Sequence, residues 1–259
     1  MKEPFYQIEL KTSGCSIELE INDIPFFGNY QEGGMAVDLP INNFILESGK
    51  QKITFIVLPL GNDKNIIHEA TVEINIFVKE ANMSYAEKTT IYTTKAPSFE
   101  HKSLPIFSFS NFFEAIVPYK LMGFKNSVSL EHESKVTILK ALEFEQNKII
   151  KILQTKDTEA YKIYHIDRLN DQYKSFYKSQ EEIKEGEDSF FDGIPEKFKP
   201  IEFKDYKLEF YADYKLVALR KIKDSPGFVF VSENEKEYGF TEMAIYHRKT
   251  NGAPLTIIR

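Results

Sequence analysis

Cysteine is nearly absent: Cys15 stands alone among 259 residues, which excludes an intrachain disulfide and a thiolate metal cluster built from one chain. No window approaches 18 uninterrupted apolar residues, so nothing reads as a membrane-spanning helix. No GxxxxGK[ST] or GxGxxG loop is available to cradle phosphates. Nor does the chain contain a GxSxG elbow or an HExxH zinc motif. Tryptophan is missing and the basic residues are nearly all lysine, which together with plentiful Asn, Ile, Phe and Tyr reads as AT-rich codon usage. A net charge of −6 argues against a nucleic-acid partner, whose phosphates demand clustered Lys and Arg.

What is present suffices for real cores: 42% of the residues are hydrophobic and 14% aromatic. The length favours two domains over one. Residues 1–95 hold eight Lys, no Arg and 13 Asp and Glu. A basic partner is compatible with that balance, although a solvated acidic surface is the commoner outcome. The chain as given reads as soluble and cytoplasmic, because the stretch before Ser13-Gly14-Cys15 has no apolar leader core.

The hydrophobic period changes near Glu133. Before it, residues 4–11, Ile17–Ile21, Ile24–Phe27, Met35–Leu39, Ile53–Leu60, Ala70–Val78 and Thr89–Thr94 read as strands, with turns at Asn22-Asp23 and Ser48-Gly49-Lys50. Phe107, Phe109, Phe112 and Phe113 form a run expected to be buried. After it, Ser134 is placed to cap a helix to Gln154 whose stripe is Val136, Leu139, Leu142 or Glu143, Gln146, Ile149, Ile150 and Leu153. Thr155-Lys156-Asp157 breaks it. A second helix over Thr158–Lys184, with stripe Ile163, Ile166, Leu169, Tyr173, Phe176 and Tyr177, ends at Gly186. Period two returns in Phe203–Tyr211, Lys215–Ile222, Gly227–Ser232, Tyr238–His247 and Leu255–Ile258. The expected architecture is α+β: an all-β sandwich over residues 1–125, then an ααβββββ domain over 126–259 in which a helical hairpin packs on an antiparallel sheet.

The segments INDIPFF and LPINNFILESGKQKITFIVLPL resemble the immunoglobulin-like or jelly-roll accessory domains of bacterial proteins, which implies a sandwich and no activity. Two helices on a curved sheet resemble the nuclear-transport-factor-2-like cone. The phrase VPYKLMGFKNSVSL, leading into helices and a terminal sheet, is similar to uncharacterised two-domain proteins of bacterial toxin–immunity loci.

Candidate chemistry is sparse. His165 and Arg168 share a helix face and Asp167 does not, so an acid–base group there competes with an ordinary helix surface. Glu131-His132-Glu133 reads as a solvated helix lead-in, Glu185–Asp188 with Asp192 as an exposed turn, and Cys15 as a small buried hydrophobe. No catalytic residue, metal site or cofactor is assigned. The hairpin helices cover one sheet face, leaving Tyr211, Tyr214, Arg220, Phe228, Phe230, Tyr238, Tyr246 and Arg248 with the composition of an interface core. Hence the expectation is a non-enzymatic protein-binding protein, in concrete form an immunity protein that neutralises a basic toxin by occlusion. The alternatives are a pocket for a small ligand or an enzyme site in the second domain, and a structural oligomerisation module.

Overall fold

The computed structural model describes residues 1–199, 201–234 and 239–259. The chain is α+β and divides into two compact units, Met1–Leu121 with Lys174–Tyr177, and Met122–Tyr173 with Lys178–Arg259. The seam lies four residues earlier than the expected 125/126 boundary, and a four-residue stretch from the helical region belongs with the first unit.

The first unit is built from two four-stranded antiparallel sheets. One has the order β4-β1-β6-β7, formed by β1 (Pro4–Ser13), β4 (Met35–Pro40), β6 (Thr71–Glu80) and β7 (Thr89–Lys95). The other, β3-β2-β5-β8, is formed by β2 (Ser16–Ile21), β3 (Ile24–Asn29), β5 (Gly49–Leu58) and β8 (Phe107–Ala115). Alternation dictates the core: Ile8 and Leu10 of β1, Ile17, Leu19 and Ile21 of β2, and Phe55 and Val57 of β5 are fully buried. The β2–β3 hairpin turns through Asn22 and Asp23, both left-handed at φ 53° and 62°, the conformation that a right-twisted two-residue hairpin loop requires. Asn42 is the polar anchor of this unit. Its amide accepts the Tyr6 N–H and donates to the Pro4 and Ser175 carbonyls, all within 3.0 Å.

The second unit opens with α1 (Lys135–Thr155), closed by Lys156 in the left-handed region. Asp157 then caps α2 (Thr158–Tyr164) by accepting the Ala160 N–H. The long second helix expected from the sequence is three: α2, α3 (Ile166–Ser175) and α4 (Gln180–Asp188). Tyr177, at φ 55°, ends one segment, and a Ser179/Glu182 capping box starts the next, so Gly186 lies inside a helix. Hydrogen bonds from Lys178 and Ser179 lower the Glu182 carboxyl to about 2.

The α1 stripe keeps its expected phase at Leu142, Gln146, Ile149 and Leu153 and departs from it at Val136, whereas the second stripe shifts. Ile138, Leu142, Ile149 and Leu153 face inward on α1, and Val136 is exposed; in the second segment Tyr161, His165 and Leu169 are buried while Ile163 and Ile166 are exposed. The apolar face of α1 meets an antiparallel sheet of order β14-β13-β10-β9, made of β9 (Tyr206–Tyr211), β10 (Leu216–Lys221), β13 (Tyr246–Arg248) and β14 (Leu255–Ile257). The loop Ala212-Asp213-Tyr214 has φ of 50°, 53° and 62°. β11 (Gly227–Phe230) and β12 (Phe240–Met243) pair as a separate ribbon. The single strand expected over Tyr238–His247 is therefore interrupted at Ala244-Ile245, and Tyr238 lies outside the described residues. Gly227 is required where it stands: at φ 132° a Cβ would come 2.0 Å from the Glu242 carbonyl oxygen.

Candidate functional site

The sheet face expected to be open is closed. Phe228, Phe230 and Tyr246 are 0% exposed and belong to the core cluster with α1. Leu216 and Ala218, on the opposite face from Val217 and Leu219, are also 0% exposed. The second unit's own segment accounts for part of this cover. Val128 and Leu130 donate backbone hydrogen bonds to the Arg248 and Tyr214 carbonyls, and Ser127 Oγ lies 2.7 Å from His247 Nδ1. Arg248 is engaged by Glu133 at 2.7 Å and by the Ala253 carbonyl. Tyr211 donates to Glu209, whose carboxylate also meets Arg220 at 3.4 Å. Of the described members of the expected set only Tyr214 is exposed, its ring tilted at 41° to that of Phe210 with centres 5.2 Å apart. These residues are thus not one continuous surface.

The titratable side chains do converge, but inside the fold. His165, at the junction of α2 and α3, is fully buried, with Nδ1 3.0 Å from the Tyr161 carbonyl and Nε2 3.2 Å from Glu242 Oε1. The first contact places the proton on Nδ1. Nε2 therefore faces the carboxylate at ion-pair distance without hydrogen-bond geometry. Arg168 Nη1 lies 2.9 Å from the same Glu242 oxygen and 2.8 Å from the Met243 carbonyl, and Nη2 reaches the Tyr161 hydroxyl. Burial pushes the His165 pKa below its ordinary value, aided by Arg168 and opposed by Glu242. Burial works to raise Glu242, yet the Arg168 guanidinium outweighs it and holds the carboxylate ionised. Tyr161 is pushed up to about 12, chiefly by burial.

As anticipated, His165 and Arg168 share a face, but that face is core and not helix surface. Asp167 turns away to Lys249 at 2.5 Å. Glu242, the group that completes the cluster, was missed because it lies 77 residues beyond His165, on strand β12. The arrangement is a desolvated, mutually compensated ion cluster, sealed among the Tyr161, Phe190 and Phe191 rings.

Elsewhere, Cys15 is buried and its thiol is pushed up to about 11 by desolvation, which makes it a poor nucleophile. His132 is exposed and Glu133 is taken by Arg248. Among the described residues no group of three or more His, Cys, Asp or Glu is placed to hold a metal. No described helix is long and apolar enough to cross a membrane.

In the first unit β8 pairs with β5 alone among the described strands and so forms an edge of its sheet. Lys52 N–H bonds the Asn22 side chain and Lys52 C=O accepts the Asn22 N–H. The even-numbered backbone groups of β5 therefore face β2 and the odd-numbered ones face β8. By the same alternation, the N–H and C=O groups of Ser108, Ser110, Phe112 and Glu114 point away from the sheet. Asn111 Oδ1 accepts the outward Phe112 N–H at 2.9 Å.

The other three sheet edges carry devices that discourage pairing. β3 contains Pro25 and faces a bulge at Leu19/Glu20, β4 carries Asp38 and ends at Pro40, and β7 has a register shift at Ile76/Phe77. β8 has no proline, lysine or bulge. The expectation that its phenylalanines are all buried fails at Phe112, which is 50% exposed with the Lys50 ammonium 5.3 Å from its ring centre. Ile116, just beyond the strand, is 78% exposed. The alternation FSFSNFFEA was a readable strand signal; its place at an edge was not. No family model, curated protein or solved structure matches the chain.

Proposed function

We propose that this chain is a non-enzymatic protein-binding protein that takes its partner along the β8 edge. The concrete form of the proposal is an immunity protein that neutralises a basic toxin by occlusion. One observation carries it: a nine-residue edge strand with outward-facing backbone groups, no proline, lysine or bulge, a single charge at Glu114 near its end, and a half-exposed Phe112. Such an edge offers main-chain hydrogen bonds for affinity and an aromatic anchor for specificity. Charge supports a cationic partner, since residues 1–121 hold ten Lys, no Arg and 15 Asp and Glu. That excess steers encounter more than it adds affinity. The buried His165–Arg168–Glu242 cluster has, in this reading, a structural role in the second unit.

The test is co-expression with the product of the adjacent gene. The wild type is expected to relieve its toxicity, and Phe112→Lys to weaken binding by roughly 30-fold, about 2 kcal/mol. Tyr214→Ala should protect as the wild type does. A wild-type chain that gives no relief, or an adjacent product without toxicity, overturns the neutralisation reading.

A further inference from the structure

The outward face of β8 is complementary to itself. In an antiparallel pair of β8 strands with the two-fold axis at Asn111, Ser110 faces Phe112 of the other copy and Ser108 faces Glu114. All four are residues whose backbone groups point away from β5. The nine residues overlap completely, forming about eight inter-strand hydrogen bonds. Phe109 is set against Phe113 of the other copy, an aromatic cross-strand pair made twice. Charge permits this register. Glu114 is the only charged residue in β8, and full overlap sends the two Glu114 side chains to opposite ends, about 20 Å apart at 3.3 Å per residue. Within each copy Glu114 faces Lys50 across the β5–β8 ladder. The Asn111 amide, which now holds the Phe112 N–H, swings onto the axis beside its counterpart.

We infer that β8 pairs with β8 of a second copy of this chain, joining two β3-β2-β5-β8 sheets into one of eight strands and masking the edge until a partner displaces it. The masking clause rests on the proposed binding role of β8; the self-pairing does not. Proline at position 108 removes an outward N–H and leaves the β5 ladder intact, because that N–H points away from β5. Phe112→Lys places two added positive charges next to the axis.

Sedimentation velocity from about 1 to 200 μM tests the inference. The wild type is expected to shift from the 30.1 kDa monomer to a dimer. Both Ser108→Pro and Phe112→Lys should stay monomeric at every concentration with unchanged circular dichroism. A wild type that remains monomeric throughout, or variants that dimerise as the wild type does, overturns it. A monomeric wild type that still neutralises the adjacent gene product removes the self-pairing alone. A dimer that neutralises nothing removes the toxin reading alone.

Discussion

Arg168→Met is expected to destabilise the second unit by about 3–5 kcal/mol, read from urea unfolding followed by circular dichroism. Among the described residues Arg168 is the one cation placed against Glu242 Oε1, since the neighbouring His165 is largely neutral. Its removal leaves a carboxylate that is 8% exposed without an ionic partner, and deprives the Met243 carbonyl and the Tyr161 hydroxyl of a donor. Arg168→Met combined with Glu242→Leu should lose less than Arg168→Met alone, because no unpaired charge then stays buried. A loss below about 1 kcal/mol for the single variant contradicts the assignment of Arg168 and Glu242 as a buried ion pair.

Stability is also expected to fall as the pH drops from about 7 toward 4. His247 is 2% exposed, and its pKa is lowered to about 4 by burial, against an unfolded value of about 6.5. The charges around it divide: Asp167 and Asp171 favour the protonated ring, and Lys249 and Arg259 oppose it. The unfolded chain takes up this proton below pH 6.5, whereas the folded chain does so only near pH 4. The contribution is therefore complete above pH 6.5 and is lost through that window, on the order of 2 kcal/mol after allowing for partial solvent screening. His165, whose pKa is also lowered, acts with the same sign below 6.5. Glu242 acts only below the ordinary carboxylate range, because its folded pKa is depressed. His247→Asn keeps a polar atom near Ser127 Oγ and should flatten the slope between pH 6.5 and 4 in urea midpoints. An unchanged slope in that variant would contradict the assignment.

The β-rich first unit was legible because its rules are local. Alternation in Tyr6, Ile8 and Leu10, and in Ile17, Leu19 and Ile21, names the inward face, and Asn22-Asp23 names the hairpin. The α1–α2 break was legible for the same reason, since Lys156 and Asp157 carry the cap chemistry themselves. The second helix was misread where local pattern and long-range chemistry part. A stripe drawn through Ile163 and Ile166 assumes that apolar residues go inside, but His165 takes the buried position because Glu242 and Arg168 are there to meet it. The break before α4 was readable in Ser179 and Glu182 and was overlooked. The alternating pattern placed Phe228, Phe230 and Tyr246 correctly in strands but could not say that α1 and the Ser127–Leu130 segment cover them. The exposure of β8 depends on which strand lacks a second neighbour, a property of topology with no residue of its own.

Backbone hydrogen exchange, with and without the product of the adjacent gene, tests most directly whether β8 is where this protein meets its partner. Slowed exchange at the Ser108, Ser110 and Glu114 amides relative to the free chain diluted to its monomer, with Tyr206–Tyr211 unchanged, is the result expected. Unchanged β8 amides in a complex that protects a strand of the second unit would contradict it.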